Sequence, residues 1–211
     1  DMHAYHGYDD RRSPPLILGH EISGIKKNDN IPVVINPLIT CESCQECTAG
    51  REHLCPNRGL LGMTKPIKRP GGFAEFVAVP NQNISSVPKE IDLNSLSITE
   101  PTAVAFHAIK IAERSSFITI QKSKILIIGA GAIGLLLSLI LKQKLTKEIT
   151  IIDTNKKRLD VCKKSSGCNI AHPDDLKVLN NHYDIVFDAV GFAKTRQKSI
   201  QTIRQGGLII H

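Results

Sequence analysis

"CESCQECTAGREHLC", residues 41 to 55, carries four cysteines in the pattern C-x2-C-x2-C-x7-C. Four thiolates that close together suit a zinc ion, and a full set of four leaves it no open position for substrate. The run predicts a structural zinc on Cys41, Cys44, Cys47 and Cys55; the alternative is unbound or oxidised thiols. A second group is Gly129, Gly131 and Gly134 in "GAGAIG", between an apolar run and a helical one. The first glycine permits a tight turn, the second lets backbone approach a pyrophosphate, and the third lets helix and strand pack closely. Asp153 ends the next apolar run, nineteen residues beyond Gly134. A carboxylate there accepts from ribose hydroxyls and repels a 2′-phosphate, which favours NAD over NADP, although Lys156 and Arg158 leave room for NADP. Ala132 and Ile133 between the glycines, and Val190 and Gly191 at the end of a later strand, complete the candidate cofactor set. The alternative is a glycine-rich turn in an ordinary sheet.

"GHE" at 19 to 21 and Glu100 form the third group. His20 offers a neutral imidazole, and Glu21 a carboxylate that ligates or orients. Glu100 stands where a helix begins, a place the helix dipole favours for an acid. Singly, each has a plain reading, as a surface pair or a helix cap. His3 and His6 could relay protons or simply sit in a solvated loop.

These residues must be held by elements the sequence also predicts. "IPVVINP" at 31 to 37 is a short strand bounded by prolines, and "GGFAEFVAVP" at 71 to 80 a strand opened by a glycine pair. Pro101 just inside Thr99 and Glu100 predicts a helix over about 101 to 113. From 124 onward near-continuous apolar strands alternate with helices, the pattern of a parallel sheet covered on both faces. The division between the two regions falls near 115 to 122.

Composition narrows the functions. Apolar residues make up 41%, enough for a core, and aromatics only 4% with no Trp, too few for base stacking. The net charge of +7 comes largely from lysines spread over the second half, which reads as a wet surface rather than a nucleic-acid patch. "ILIIGAGAIGLLLSLIL" at 125 to 141 is broken by its glycines into strand and helix, so no membrane span is expected. No secretory signal opens the sequence, and clustered cysteines then read as metal binding in a reducing, cytoplasmic compartment. Cys162 and Cys168 stand apart and read as packing residues.

"DMHAYHG", "PPLILGHEISG", the cysteine run, "GGFAEF", "TEPTAVAFHA", "GAGAIG" and "FDAVG" follow one another along the whole chain as in the medium-chain zinc-dependent alcohol dehydrogenases, which this sequence resembles. Glu100 and Pro101 resemble the sorbitol (iditol) or polyol branch. The resemblance implies an α/β chain: an incomplete GroES-like, β-rich catalytic domain over 1–118 and an incomplete Rossmann doubly wound domain over 119–211. It implies a catalytic zinc on His20 and Glu21, with Glu100 as ligand or water partner, and His3 as proton relay. Asp1 matches the Asp of the family's C-G-x-D motif, whose Cys ligand would lie three positions before this sequence begins. The implied activity is hydride transfer from a secondary alcohol or polyol to NAD, by a homo-oligomer in the full-length protein. The rivals are a catalytically inactive zinc- and NAD-binding relative and a basic zinc module that binds nucleic acid. The family's usual G-D-R-V before the strand at 32 to 35 is absent, and the loop "GIKKNDNIP" is short.

Overall fold

Strand pairing in the first unit is antiparallel and short. Ser23–Lys26 pairs with Ile31–Ile35, which pairs in turn with Ile84–Ser86, and Leu38–Ile39 pairs with Gly59–Leu60. β-Branched residues supply its core: Val33, Ile35 and Ile39 with Leu61, against Ile22, Ile31, Val79 and Ile84. In this computed structural model the described residues are 1–115, 117, 119–175 and 180–211, without the side chains of residues 2 and 3. The chain divides into two compact units, Asp1–Glu100 and Pro101–His211.

One expected strand is not formed. Residues 71–80 join no sheet, and the amides of the first three are engaged elsewhere: Gly71 N–H donates to Ile17 O, Gly72 N–H to Gly19 O and Phe73 N–H to Leu18 O. The glycine pair crosses the Leu18–Gly19 backbone so closely that a Cβ on Gly71 would lie 2.4 Å from two carbonyl oxygens. Phe73 is exposed.

Helix Thr99–Ser115 is longer than expected and contains Pro101 in its first turn, where the missing N–H costs nothing. Its Ala105, Ile109 and Ala112 are fully buried and join the core of the second unit.

That core surrounds a five-stranded parallel sheet in the order Ile203–Ile210, Tyr183–Asp188, Lys124–Ile128, Glu148–Ile152, Asn169–Ala171. Alternation along the strands sorts side chains to two faces. Ile125, Ile127, Ile149, Ile151, Ile185 and Phe187 share one core, and Leu126, Ile128, Ile152 and Val186 the other. Each such buried aliphatic side chain stabilises by about 1.5–3 kcal/mol. The earliest strand, Lys124–Ile128, lies in the middle with chain order running outward on both sides. This is the doubly wound arrangement expected, and ligands of such sheets bind where the strand order reverses, at the carboxyl ends.

Candidate functional site

The cysteine lobe is built from tight turns rather than strands. Cys44 caps the short helix Gln45–Thr48, which contains Cys47, and a 3-10 turn over Glu52–Leu54 delivers Cys55. An Arg51 Nε–Glu46 Oε2 bond of 2.7 Å closes the loop outside. The four sulfurs converge, with Sγ–Sγ distances of 3.5 Å for Cys44–Cys47, 3.5 Å for Cys41–Cys55 and 4.0 Å for Cys41–Cys47. A tetrahedron with Zn–S bonds of about 2.3 Å has edges of about 3.8 Å, so the cluster has the dimensions of a zinc site. These separations are also far beyond the S–S bond of about 2.05 Å, and all six cysteines are free thiols. Backbone amides of Ser43 and Cys44 lower the Cys41 thiol to about 5, while desolvation pushes Cys47 up to about 12. A dication at the centre stabilises the thiolate of both.

His20, Glu21 and Glu100 converge as well: one ligand atom of each lies within 4.8 Å of the others. The placement of His20 depends on Gly19, whose φ of +101° suits glycine and whose Cβ would lie 2.7 Å from the Phe73 ring. Glu100 is delivered by the first turn of helix Thr99–Ser115. His20 Nδ1 is buried without a hydrogen bond, 3.6 Å from Asp1 Oδ2, and Asp1 Oδ1 and Arg12 Nε, an ion pair 3.6 Å apart, also make no hydrogen bond. Asp9 holds Arg12 from the other side. A three-donor cluster with an orphaned imidazole nitrogen is a donor set that fits a divalent cation.

Burial governs the protonation of this trio. It pushes His20 below its ordinary 6.5, against the opposing pull of Glu100, and raises Glu100 above its ordinary 4.5. The two effects on stability have opposite signs. Below about 6.5 the unfolded chain protonates its imidazole first, so stability is lost as pH falls through that window. Above 4.5 the folded state keeps the Glu100 proton that the unfolded chain releases, so that contribution is lost as pH rises. With chelator-stripped protein, Glu100→Gln is therefore expected to gain stability over the parent between about pH 4 and about pH 7. Urea unfolding at both pH values measures this, and an identical difference at the two would refute it.

In the second unit the glycine turn has the form its residues predict. Gly129 has φ +103°, and its Cβ would lie 2.6 Å from Val190 Cγ2; a Cβ on Gly134 would fall 1.8 Å from Gly129 O. Gly131 caps helix Ala132–Gln143 with no side-chain bond, so the first amides of that helix, including those of Ala132 and Ile133, are free for an anion. Asp153 accepts Ala130 N–H and Asn155 N–H, both at 2.7 Å, which fixes its carboxylate beside the turn. Arg158 and Lys157 line a cavity of about 350 Å³ with Gly131 and Ala132. Val190 rests over Gly129, and Gly191 has φ +81°.

The expectation for His3 lies outside the described residues, since only its backbone, in helix Met2–Tyr5, is described. Conversely, sequence reasoning missed a cavity of about 380 Å³ floored by Ile128 and Ile152 and walled by Thr154, Pro173 and Thr195. Its walls come from two loops and helix Ala193–Thr202, far apart in sequence, so no local pattern marks it. It also missed Asp188, though the "FDAVG" string contains it.

Residues 1–89 match the family described as the alcohol dehydrogenase GroES-like domain, and residues 110–202 match shikimate / quinate 5-dehydrogenase. The chain is 30% identical to the L-threonine 3-dehydrogenase of Sinorhizobium medicae, over 92% of this chain and 59% of that protein. It is 28% identical to the sorbitol dehydrogenase of Arabidopsis thaliana, over 92% of this chain and 57% of that one. A solved zinc-binding dehydrogenase of Sinorhizobium meliloti, bound to NADP, superposes with a TM-score of 0.85 at 26% identity, covering 98% of this chain and 63% of that one. The chain thus spans about three fifths of the length of the relatives it matches. It combines a match to the alcohol dehydrogenase GroES-like domain over residues 1–89, a Rossmann-type parallel sheet and a four-thiol cluster of zinc dimensions, and it is similar to zinc-binding dehydrogenases.

Proposed function

We propose that the full-length protein is a zinc-dependent oxidoreductase that moves a hydride from a secondary alcohol or polyol to NAD. The observation that carries this reading is the convergence of His20, Glu21 and Glu100 within 4.8 Å, in a chain that also carries the glycine turn and Asp153. In this reading His20 and Glu21 hold a catalytic zinc with Glu100 as ligand or water partner, and Cys41, Cys44, Cys47 and Cys55 hold a structural one. Zinc there supplies a Lewis acid that acidifies a substrate hydroxyl, and the nicotinamide supplies the hydride acceptor.

The chain's own residues do the rest. Burial keeps the His20 imidazole neutral, so a ring nitrogen has a lone pair to offer. Glu21 and Glu100 bring negative charge to the same point, and Glu100 can take a proton because burial raises its carboxyl. His3 passes that proton toward solvent. Ala132 and Ile133 amides receive the pyrophosphate, Asp153 accepts the adenosine ribose hydroxyls through its remaining lone pairs, and Val190 and Gly191 bound the cofactor on the other side.

Arg158 and Lys157 beside Gly131, together with the NADP-bound relative, support NADP as a second reading of the cofactor. Relatives named for L-threonine and sorbitol support a small polar alcohol as substrate. We further propose a cytoplasmic homo-oligomer without nucleic-acid or membrane partners; among the described residues no helix is long and apolar enough to cross a membrane.

The test is a panel of polyols and secondary alcohols with NAD and NADP on the full-length protein. Glu100→Gln is expected to lower turnover by about 10²-fold or more while leaving NAD affinity unchanged. Equal loss of turnover and affinity would remove Glu100 from the chemistry. A protein that binds NAD and two zinc ions but oxidises no alcohol would be the inactive relative.

A further inference from the structure

Strand Tyr183–Asp188 ends on a carboxylate whose side chain has no solvent exposure. Asp188 Oδ1 accepts the amides of Val190 and Gly191, each at 3.0 Å, and Oδ2 accepts the Thr195 hydroxyl at 2.9 Å. The same hydroxyl oxygen accepts Phe192 N–H at 3.1 Å, at the start of helix Ala193–Thr202. The ring nitrogen Nδ1 of His211 lies 3.6 Å from Oδ2. The turn over 189–192 is thus wound around one buried acid, and its neutral donors meet both oxygens.

That turn has two neighbours in the dinucleotide site. On one side a Val190 methyl occupies the space a Cβ on Gly129 would need, so the turn is seated on the glycine loop. On the other, Thr195 shares a cavity wall with Thr154, the residue after Asp153. An acid in the Asp153 position holds the adenosine ribose, so this cavity adjoins the adenosine half of the cofactor.

We propose that Asp188 and Thr195 are positioning residues for dinucleotide binding: the carboxylate holds the 189–192 turn against Gly129, and the Thr195 hydroxyl ties the wall of the adenosine cavity to it. This rests on the dinucleotide reading above. Asparagine at 188 offers a single acceptor oxygen, so it cannot accept both from the two amides and from the hydroxyl, which then donates to Phe192 O at 2.9 Å and no longer ties Thr195 to residue 188 as acceptor. Valine at 195 keeps the volume and loses the hydroxyl, whereas serine keeps the hydroxyl.

The experiment is calorimetric titration of NAD, ADP-ribose and AMP into the full chain and its variants, well below the melting temperature. Asp188→Asn and Thr195→Val are each expected to bind all three about tenfold more weakly. Thr195→Ser is expected to restore parental affinity. A role in stability alone would lower melting without this split between serine and valine. Parental affinity in Thr195→Val, or equal loss in Thr195→Val and Thr195→Ser, overturns the proposal even if Asp188→Asn fails to fold. A parent chain that binds neither NAD nor NADP overturns the dinucleotide reading itself, which is a separate and recognisable result.

Discussion

Gly134→Ala is expected to destabilise the second unit, and Gly131→Ala to leave it as stable as before but weaken its hold on dinucleotide. The two glycines lie three residues apart and look equivalent in the motif. Their surroundings differ. A methyl group at 134 would fall 1.8 Å from Gly129 O, a backbone atom that cannot move without dragging the turn with it. Overpacking against fixed backbone costs on the order of 3 kcal/mol, which lowers Tm by roughly 10 °C. At 131 a Cβ meets nothing within 4 Å, and the backbone there, at φ −77° and ψ −168°, is open to any residue. Nothing in the fold requires glycine at that position, whereas a pyrophosphate lying on the helix N-terminus does. Gly131→Ala should therefore raise the Kd for NAD by about tenfold or more at unchanged Tm. Thermal unfolding and fluorescence titration of NADH read the two effects separately. If Gly131→Ala binds NADH as the parent does, no ligand backbone approaches that turn and the dinucleotide reading fails.

Features written in short range were legible in the sequence. The cysteine spacing, the glycine triplet with Asp153 and a helix opening around Pro101 each need only short-range patterns, and each appears in the structure, the helix running longer than expected. The trio of His20, Glu21 and Glu100 is different, because eighty residues separate its ends and only the family resemblance joined them. The failed strand at 71–80 shows the limit of alternation as a signal. Alternating apolar residues describe which side chains could share a face, but not where the backbone amides go, and here the first three donate to Ile17, Gly19 and Leu18. Asp188 was missed for the same reason, since its partners are amides and a hydroxyl that follow it around a turn. A buried acid gives no sign in the sequence that backbone will satisfy it.

The second large effect concerns the cysteine lobe, where any one of Cys41→Ser, Cys44→Ser, Cys47→Ser or Cys55→Ser is expected to remove the structural zinc. Structural zinc sites contribute about 10–16 kcal/mol of binding free energy. Losing one thiolate of four forfeits roughly a quarter of that, which weakens affinity by about 10²- to 10³-fold. The lobe has little else to hold it. Its elements are a four-residue helix and a three-residue 3-10 turn, and among its described residues only Cys55 is buried. Without the ion, residues 41–55 have no apolar core to replace the lost bonds, so the loop should open and become the first site of proteolysis. Metal release with a chromophoric chelator and limited digestion measure both consequences. The second unit, whose core consists of sheet and helix side chains, should bind NADH as before. Full zinc retention in all four variants would mean that the sulfurs, despite their 3.5–4.0 Å separations, are not what holds the ion.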